Sequence, residues 1–164
     1  MRREFGKALV ELAEEDSDLY LIVGDTGHGI FDEFKARFPD RYFNFGLCEQ
    51  SMISVAAGMA LEGLHPVVYA ITTFLMERPW EQVKIDVNEQ QAKVMLVGYA
   101  DYPDFGPTHN AANMKGLASL LKNVRSYFPE NSQETREAVY EAHGLQGSAF
   151  ISLKEDKKLR KPGH

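Results

Sequence analysis

The chain has 164 residues, of which 44% are hydrophobic and 26% are charged, with a formal net charge of −6 and one cysteine. This length is typical of one globular domain, and the acidic balance disfavours nucleic acid as a partner because there is no basic stripe to neutralise phosphates. One cysteine excludes an internal disulfide, and no apolar run approaches the roughly 20 residues that a membrane span needs. We therefore expect a cytoplasmic protein with no membrane association.

Hydrophobic periodicity predicts alternating helices and strands in the first half of the chain. Apolar residues at helical spacing predict a helix over 3–15 that ends near Asp16. A short apolar run ending in glycine predicts a strand over Leu19–Gly24 that is buried on both faces. The same patterns then predict a helix over Phe31–Phe38, a strand over Arg41–Phe45, a helix over 49–63 and a strand over Pro66–Ile71.

The second half of the chain repeats this alternation. It predicts a helix around Trp80–Val87, a strand over Lys93–Gly98, a polar loop over Tyr99–Asn110 and a helix over Ala112–Leu121. A strand over Asn123–Tyr127, a helix over Ser132–His143 and a strand over Ser148–Leu153 follow. Strands that alternate with helices indicate a three-layer α/β/α fold with a mostly parallel central sheet of about six strands. We place the domain at 1–154 and treat 155–164 as a charged tail.

Ligands of such open sheets bind beyond the carboxyl ends of the strands, so the loops at those ends are the candidate sites. The first of these loops, Gly24–Gly29, is rich in glycine but has the spacing G-x-x-G-x-G. A dinucleotide site needs G-x-G-x-x-G, and Asp25 would put a carboxylate where a pyrophosphate lies. We therefore favour a flexible turn here over a phosphate site.

Glu49 follows the predicted second strand and begins the helix over 49–63. An acidic residue at this position is commonly a charge that the helix dipole favours. Its apolar sequence neighbours suggest a second interpretation, because an apolar setting favours the neutral form of a carboxyl group and suits it to acid/base work; these neighbours are Phe43, Phe45, Leu47, Cys48 and Met52. Both interpretations stay open at this point.

The loop over Tyr99–Asn110 carries carboxylates, tyrosines and His109. A solvated connection is one interpretation of so polar a segment. The alternative is a binding loop, because Gly106 and Pro107 restrict the backbone immediately before His109 and so direct its imidazole.

Several motifs together resemble the pyrimidine-binding domain of the transketolase family of thiamine diphosphate enzymes. They are G-L-C-E-Q, A-A-G-M-A-L-E-G, P-V-V-Y-A-I-T-T-F, E-R-P-W-E-Q-V-K-I-D-V and G-P-T-H, and they extend the resemblance over about 2–154. Glu49 and His109 are 60 residues apart, as in the family pattern.

The resemblance implies roles for individual residues. Glu49 would hydrogen-bond N1′ of the cofactor's aminopyrimidine and promote its imino tautomer. Thr73, Phe74 and Arg78 would lie at the cofactor, and His109 would bind hydroxyl groups of the donor substrate.

The sequence also departs from the family pattern. Phe105 occupies the place of an aspartate that binds a donor hydroxyl, so Asp104 or His28 is expected to help there. Tyr99 stands where the family has a phosphate-binding histidine. Lys154 and Arg2 lie near positions at which the family has phosphate-binding arginines. Both are therefore expected to contact the substrate.

The family's diphosphate-binding motif, G-D-G followed by asparagine, is not matched, and we predict no metal ligands in this chain. The resemblance therefore implies a separate diphosphate-binding subunit that holds Mg²⁺ or Ca²⁺, in an α2β2 assembly. Apolar groups at the strand ends are candidate interface anchors, namely Phe31, Phe43, Met76 and Trp80, and each also has an interpretation as part of the core of this domain.

The leading hypothesis is half of a split transketolase that transfers a two-carbon ketol unit between sugars, expected to be phosphorylated. One alternative is half of an enzyme similar to 1-deoxyxylulose-5-phosphate synthase or to a 2-oxoacid decarboxylase. A non-catalytic partner or regulatory subunit is the other.

Overall fold

A computed structural model describes residues 1–99, 105–111 and 113–154. Six strands form one sheet in the order β2-β1-β3-β4-β6-β5, and each neighbouring pair is parallel. The predicted α/β fold with its parallel sheet is thereby confirmed. The strands are β1 (Leu19–Val23), β2 (Tyr42–Asn44), β3 (His65–Ile71), β4 (Met95–Tyr99), β5 (Val124–Tyr127) and β6 (Ser148–Leu153).

Helices connect these strands. They are α1 (Arg2–Glu15), α2 (Asp32–Arg37), α3 (Glu49–Leu61), α4 (Thr72–Met76), α5 (Trp80–Gln82), α6 (Met114–Ala118) and α7 (Ser132–Gly144). Helix α5 continues directly into a π-helical segment, Val83–Glu89, and short 3₁₀ turns occupy Pro39–Arg41 and Pro107–His109. None of the helices in the described ranges is long and apolar enough to cross a membrane.

Each face of the sheet has its own hydrophobic core, because successive residues of a strand point to opposite faces. On one face, α1 and α7 pack over Leu21, Tyr69 and Val97. On the other, α3 and the π-helical segment pack over Ile22, Val68 and Leu96. This double burial explains why the central strands read as continuous apolar runs rather than as alternating patterns.

The structure changes some sequence predictions. The segment between the predicted strand over Pro66–Ile71 and the predicted helix around Trp80–Val87 contains the short helix α4, and the helix expected over Ala112–Leu121 is limited to α6. Two of the proposed interface anchors are wrong, since Phe31 and Met76 are 2% and 0% exposed and belong to the two cores. Phe43 is exposed and Trp80 is half-buried, so their role at an interface stays a prediction.

A polar cluster at the edge of the sheet where the strands begin joins α1, β3 and α7. Asp16 caps the end of α1, and its Oδ2 lies 2.6 Å from Nδ1 of His65 in β3 and 3.4 Å from Nε2 of His143 in α7. Burial raises the pKa of Asp16, but hydrogen bonds from His65 and the Asp18 amide outweigh it, so the pKa lies below its ordinary value. Burial also lowers the pKa of His143, against the opposing effect of Asp16.

His143 makes stability depend on pH. Because its pKa is lower in the folded chain than in the unfolded chain, its contribution is present above about pH 6.5 and is lost as the pH falls below that value. We expect the free energy of unfolding, measured with urea, to fall between pH 7.5 and 5.5. The variant His143→Gln should show a smaller fall, and an unchanged fall would contradict the assignment.

Candidate functional site

The loops that follow four adjacent strands meet at the carboxyl edge of the sheet. In the order of the sheet these strands are β2, β1, β3 and β4. In the chain, Glu49 follows β2, His28 follows β1, α4 follows β3, and the turn that contains His109 follows β4. The loops that the sequence predicts as candidate sites therefore lie at this edge.

Glu49 is the first residue of α3 and is 1% exposed. Its Oε2 accepts a hydrogen bond of 2.7 Å from Nη1 of Arg78, which pairs a buried carboxylate with a cation. Its other oxygen, Oε1, is buried and has no hydrogen-bond partner within the described ranges. An unpaired buried oxygen is costly to the folded chain, and a ligand donor at this position would remove that cost.

Phe74 and Arg78 connect Glu49 to His109. The Arg78 guanidinium lies 3.9 Å from the centroid of the Phe74 ring, and the His109 ring meets Phe74 edge-on at 4.8 Å. Phe105 contacts His109 from another side, at 5.5 Å between centroids. Nδ1 of His109 lies 3.0 Å from the Thr108 hydroxyl. Four of the predicted residues are thus brought together in one connected cluster.

Helix α4 carries Phe74 and is followed closely by Arg78, so its position determines where these two side chains lie. Gly98 in β4 allows α4 to lie close to the sheet. A Cβ at Gly98 would lie 2.7 Å from Oγ1 and 3.1 Å from Cα of Thr72. Thr73, the next residue, is 3% exposed, and its Oγ1 has no hydrogen-bond partner within the described residues. The apolar run in the sequence predicts a strand that ends at Gly98, but the run carries no signal for this close approach.

The loop that follows β1 begins with the glycine-rich segment Gly24–Gly29 and continues to α2, and we call residues 24–31 the glycine-rich loop; several hydrogen bonds hold it. The amide of Asp25 donates to Oδ1 of Asn44 at 3.0 Å, and Asn44 also accepts from the amide of Gly46. Asp25 and Gly27 have positive φ values of 49° and 89°. His28 is exposed at the tip of this loop. The flexible turn expected from the sequence is therefore a restrained one in the structure.

Two of the remaining predicted substrate residues have partners elsewhere in the domain. Arg2 is half-buried, and its Nε donates to the Tyr69 hydroxyl at 3.0 Å. Lys154 is exposed immediately after β6 and pairs with Glu130. Asp104 lies outside the described residues, as does the tail 155–164.

Most of the sequence neighbours expected to surround Glu49 with apolar groups are exposed. Leu47 is 68% exposed, Cys48 is exposed and Phe43 is 39% exposed, so these neighbours do not enclose the carboxyl group. Among the predicted neighbours only Met52 is fully buried, at 0%. No group of three or more metal-ligating side chains forms in the described part of the chain.

The fold is that of an α/β domain with a parallel sheet, and the buried Glu49 carboxyl group, with one oxygen lacking a partner among the described residues, is a candidate site for a ligand that offers a hydrogen-bond donor. Comparison with known families makes this class specific. The family model "Transketolase, pyrimidine binding domain" matches residues 1–159. The chain belongs to this family.

Three relatives illustrate the similarity. The 1-deoxy-D-xylulose-5-phosphate synthase of Aquifex aeolicus is 40% identical over 145 residues, which are 83% of this chain and 22% of that protein. One subunit of the apulose-4-phosphate transketolase of Actinobacillus succinogenes is 34% identical over 140 residues, 83% of this chain and 45% of that one. A solved structure titled "Split gene transketolase, inactive beta4 tetramer" superposes with a TM-score of 0.84 at 27% identity, covering 93% of this chain and 50% of that chain. The chain thus spans half or less of each of these relatives.

Thiamine diphosphate is the cofactor that this family implies, and the residues present fit its aminopyrimidine. Oε1 of Glu49 is a buried acceptor without a partner among the described residues, which suits a ring nitrogen that shares a proton. The Thr73 hydroxyl provides a second buried polar atom, and the half-buried Phe74 ring provides an apolar surface. These three residues and Arg78 are the ones that would hold the pyrimidine.

Arg78 is expected to hold the Glu49 carboxylate in place. The variant Arg78→Met would leave a buried carboxyl oxygen without its partner, at a cost of about 1 kcal/mol, the low end for an unsatisfied buried group because 39% of the Arg78 side chain is exposed. Urea unfolding measures this loss. Arg37→Met is the matched control, since Arg37 pairs with Glu14 at the surface and should change stability little. Equal losses in both variants would contradict the special role of Arg78.

Proposed function

We propose that this chain is the pyrimidine-binding half of a split transketolase and works with a diphosphate-binding subunit. The assembly would transfer a two-carbon ketol unit between sugars, phosphorylated ones by preference. The single observation that carries this proposal is the Glu49 carboxyl group, buried, paired on one oxygen with Arg78 and unpaired on the other. The similarity to proteins named as transketolase subunits supports it.

Thiamine diphosphate, when bound, supplies a carbon nucleophile that can cleave and form bonds next to a carbonyl group. The chain's own residues would prepare this chemistry. Oε1 of Glu49 would hold or move a proton at the pyrimidine ring nitrogen, and the Arg78 contact would keep the carboxyl group oriented for that transfer. Phe74 and Thr73 would position the ring beside it.

His109 would bind the sugar. The Thr108 hydroxyl engages Nδ1, so Nε2 is the nitrogen that we assign to a substrate hydroxyl. His28 and Asp104 would supply further polar contacts, and Arg2 and Lys154 would bind a substrate phosphate. We assign the divalent metal ion, Mg²⁺ or Ca²⁺, to the partner subunit and propose an α2β2 assembly.

A second candidate function is supported by the 40% identity to a 1-deoxy-D-xylulose-5-phosphate synthase. Such an enzyme would use the same Glu49 but would take pyruvate as its donor. Product analysis separates the two functions. The chain is mixed with a diphosphate-binding subunit that carries the G-D-G motif and its asparagine, and is then supplied with a ketose phosphate or with pyruvate as donor, each together with an aldose phosphate as acceptor.

Each outcome of this experiment is informative. Ketol transfer from the ketose phosphate supports the transketolase proposal. Release of CO₂ from pyruvate with condensation onto the acceptor supports the synthase alternative, release of CO₂ without condensation supports the decarboxylase alternative, and either result overturns the transketolase proposal. If neither donor reacts although the subunits associate, the non-catalytic partner hypothesis gains support.

A further inference from the structure

Four aromatic side chains form a column near the carboxyl ends of β3 and β4. Tyr69 stacks on Phe5 at 5.7 Å and on Tyr99 at 4.7 Å, and Phe31 meets Phe5 and Tyr69 edge-on at 5.8 and 4.7 Å. All four side chains are at most 4% exposed. This aromatic column joins α1, β3, the end of β4 and the glycine-rich loop in one rigid unit.

Arg2 covers the outer end of the column. Its guanidinium lies 4.1 Å above the centroid of the Tyr99 ring, and its Nε donates to the Tyr69 hydroxyl. A cation over one ring and a hydrogen bond to the next restrict both rings. Tyr99 therefore has one face against Tyr69 and a cation over its ring, which leaves its hydroxyl group with a defined position.

The Tyr99 hydroxyl reaches out of the column to the glycine-rich loop. It forms a hydrogen bond with Oγ1 of Thr26. Next to Thr26, the backbone of Gly27 lies against the column, because a Cβ there would be 2.4 Å from the Phe31 ring and 3.6 Å from Tyr69. His28 is the following residue and is exposed. The loop is thus anchored immediately before the histidine that we assign to the substrate.

We propose that Tyr99 is a positioning residue, whose hydroxyl bond to Thr26 holds the glycine-rich loop so that His28 faces the sugar. The inference rests on the proposed function for the role of His28, but the anchoring itself rests on the contacts described above. Tyr99 would thereby act on donor affinity without touching the reacting atoms. The hydroxyl group has this role, whereas the ring serves the packing of the column.

Hydrogen exchange of the 164-residue chain tests the anchoring without any need for catalysis. The amides of Gly29, Ile30 and Phe31 donate to acceptors within the loop and its helix, so they report on loop opening. Tyr99→Phe keeps the ring and removes the hydroxyl, and it should speed exchange of these amides about fivefold, the factor expected for one typical hydrogen bond. Thr26→Val should do the same, and the double variant should add nothing further.

Two control variants sharpen this experiment. Thr26→Ser keeps the hydroxyl and should exchange like the original chain. Tyr140→Phe removes a tyrosine hydroxyl that bonds Glu11 on the surface of α1 and α7, and it should leave these amides unchanged. Unchanged exchange in Tyr99→Phe, or additive effects in the double variant, would overturn the anchoring role.

The reconstituted enzyme tests whether the anchoring acts through His28. Tyr99→Phe should raise KM for the ketose donor with little change in kcat, and it should have no further effect in a His28→Ala background. An equal rise in that background would overturn the link to His28. An inactive assembly of the unmodified chain would count against the proposed function, while the exchange result would still decide whether Tyr99 holds the loop.

Discussion

Replacing Glu49 by Gln should lower kcat of the reconstituted enzyme by about 10²–10⁴-fold, the range that a positioned acid/base group contributes. Gln has nearly the same size as Glu, so the substitution removes the carboxyl chemistry while the side chain can still occupy the same buried space. The Arg78 contact loses its negative partner, which lowers stability modestly. Steady-state rates at saturating thiamine diphosphate measure the effect on catalysis.

Glu62→Gln provides the matched control for this prediction. Glu62 caps the other end of α3 and is exposed, so the same chemical change occurs next to the same helix but away from the site. We expect its rate to match that of the unmodified chain. If Glu49→Gln folds, binds the cofactor and turns over at the full rate, the assignment of Glu49 is wrong.

Replacing Gly98 by Val should destabilise the chain by roughly 1–3 kcal/mol, the usual cost of overpacking a filled interior. The first added carbon would already lie 2.7 Å from Oγ1 of Thr72, and the backbone of α4 is only 3.1 Å away. Helix α4 must then move away from β4 and carry Thr73 and Phe74 with it. Urea unfolding should show the loss of stability, and cofactor affinity of the assembly should fall as well.

Gly144→Ala provides the comparison for this second prediction. Gly144 is the last residue of α7, and a Cβ there meets no atom within 4 Å. Adding a methyl group at this position should change stability little. A Gly98→Val chain as stable as Gly144→Ala would show that α4 does not depend on the close approach.

The layers of the fold follow from the sequence because buried parallel strands and amphipathic helices leave clear patterns. The predicted strand Ser148–Leu153 matches β6 residue for residue, and α1 and α7 differ from the predicted helices by one residue at an end. Helix α4 leaves no such pattern. Thr72 and Thr73 are poor helix formers, and α4 spans only five residues, which is too short for a periodic signal.

The sequence predicts residues for the candidate site but not the contacts among them. Motif spacing identifies Glu49 and His109, yet the link between them passes through Phe74 and Arg78 on α4 and just after it. Similarly, Tyr99 stands out in the sequence as a departure from the family pattern, but its bond to Thr26 depends on a distance that only the folded chain defines. The burial of Phe31 and Met76 also differs from the prediction. Both lie near the ends of strands in the sequence and are expected to be exposed, but each belongs to one of the two cores.

Calorimetric titration of thiamine diphosphate with Mg²⁺ tests the central claim most directly. The titration is done on the chain alone, on a diphosphate-binding subunit alone and on their mixture. The proposal predicts tight, metal-dependent binding in the mixture, and binding that is markedly weaker in either chain alone and in a mixture made with Glu49→Gln. Binding in the mixture that equals that of the partner alone, and that does not change with Glu49→Gln, would contradict the claim that this chain forms half of the cofactor site.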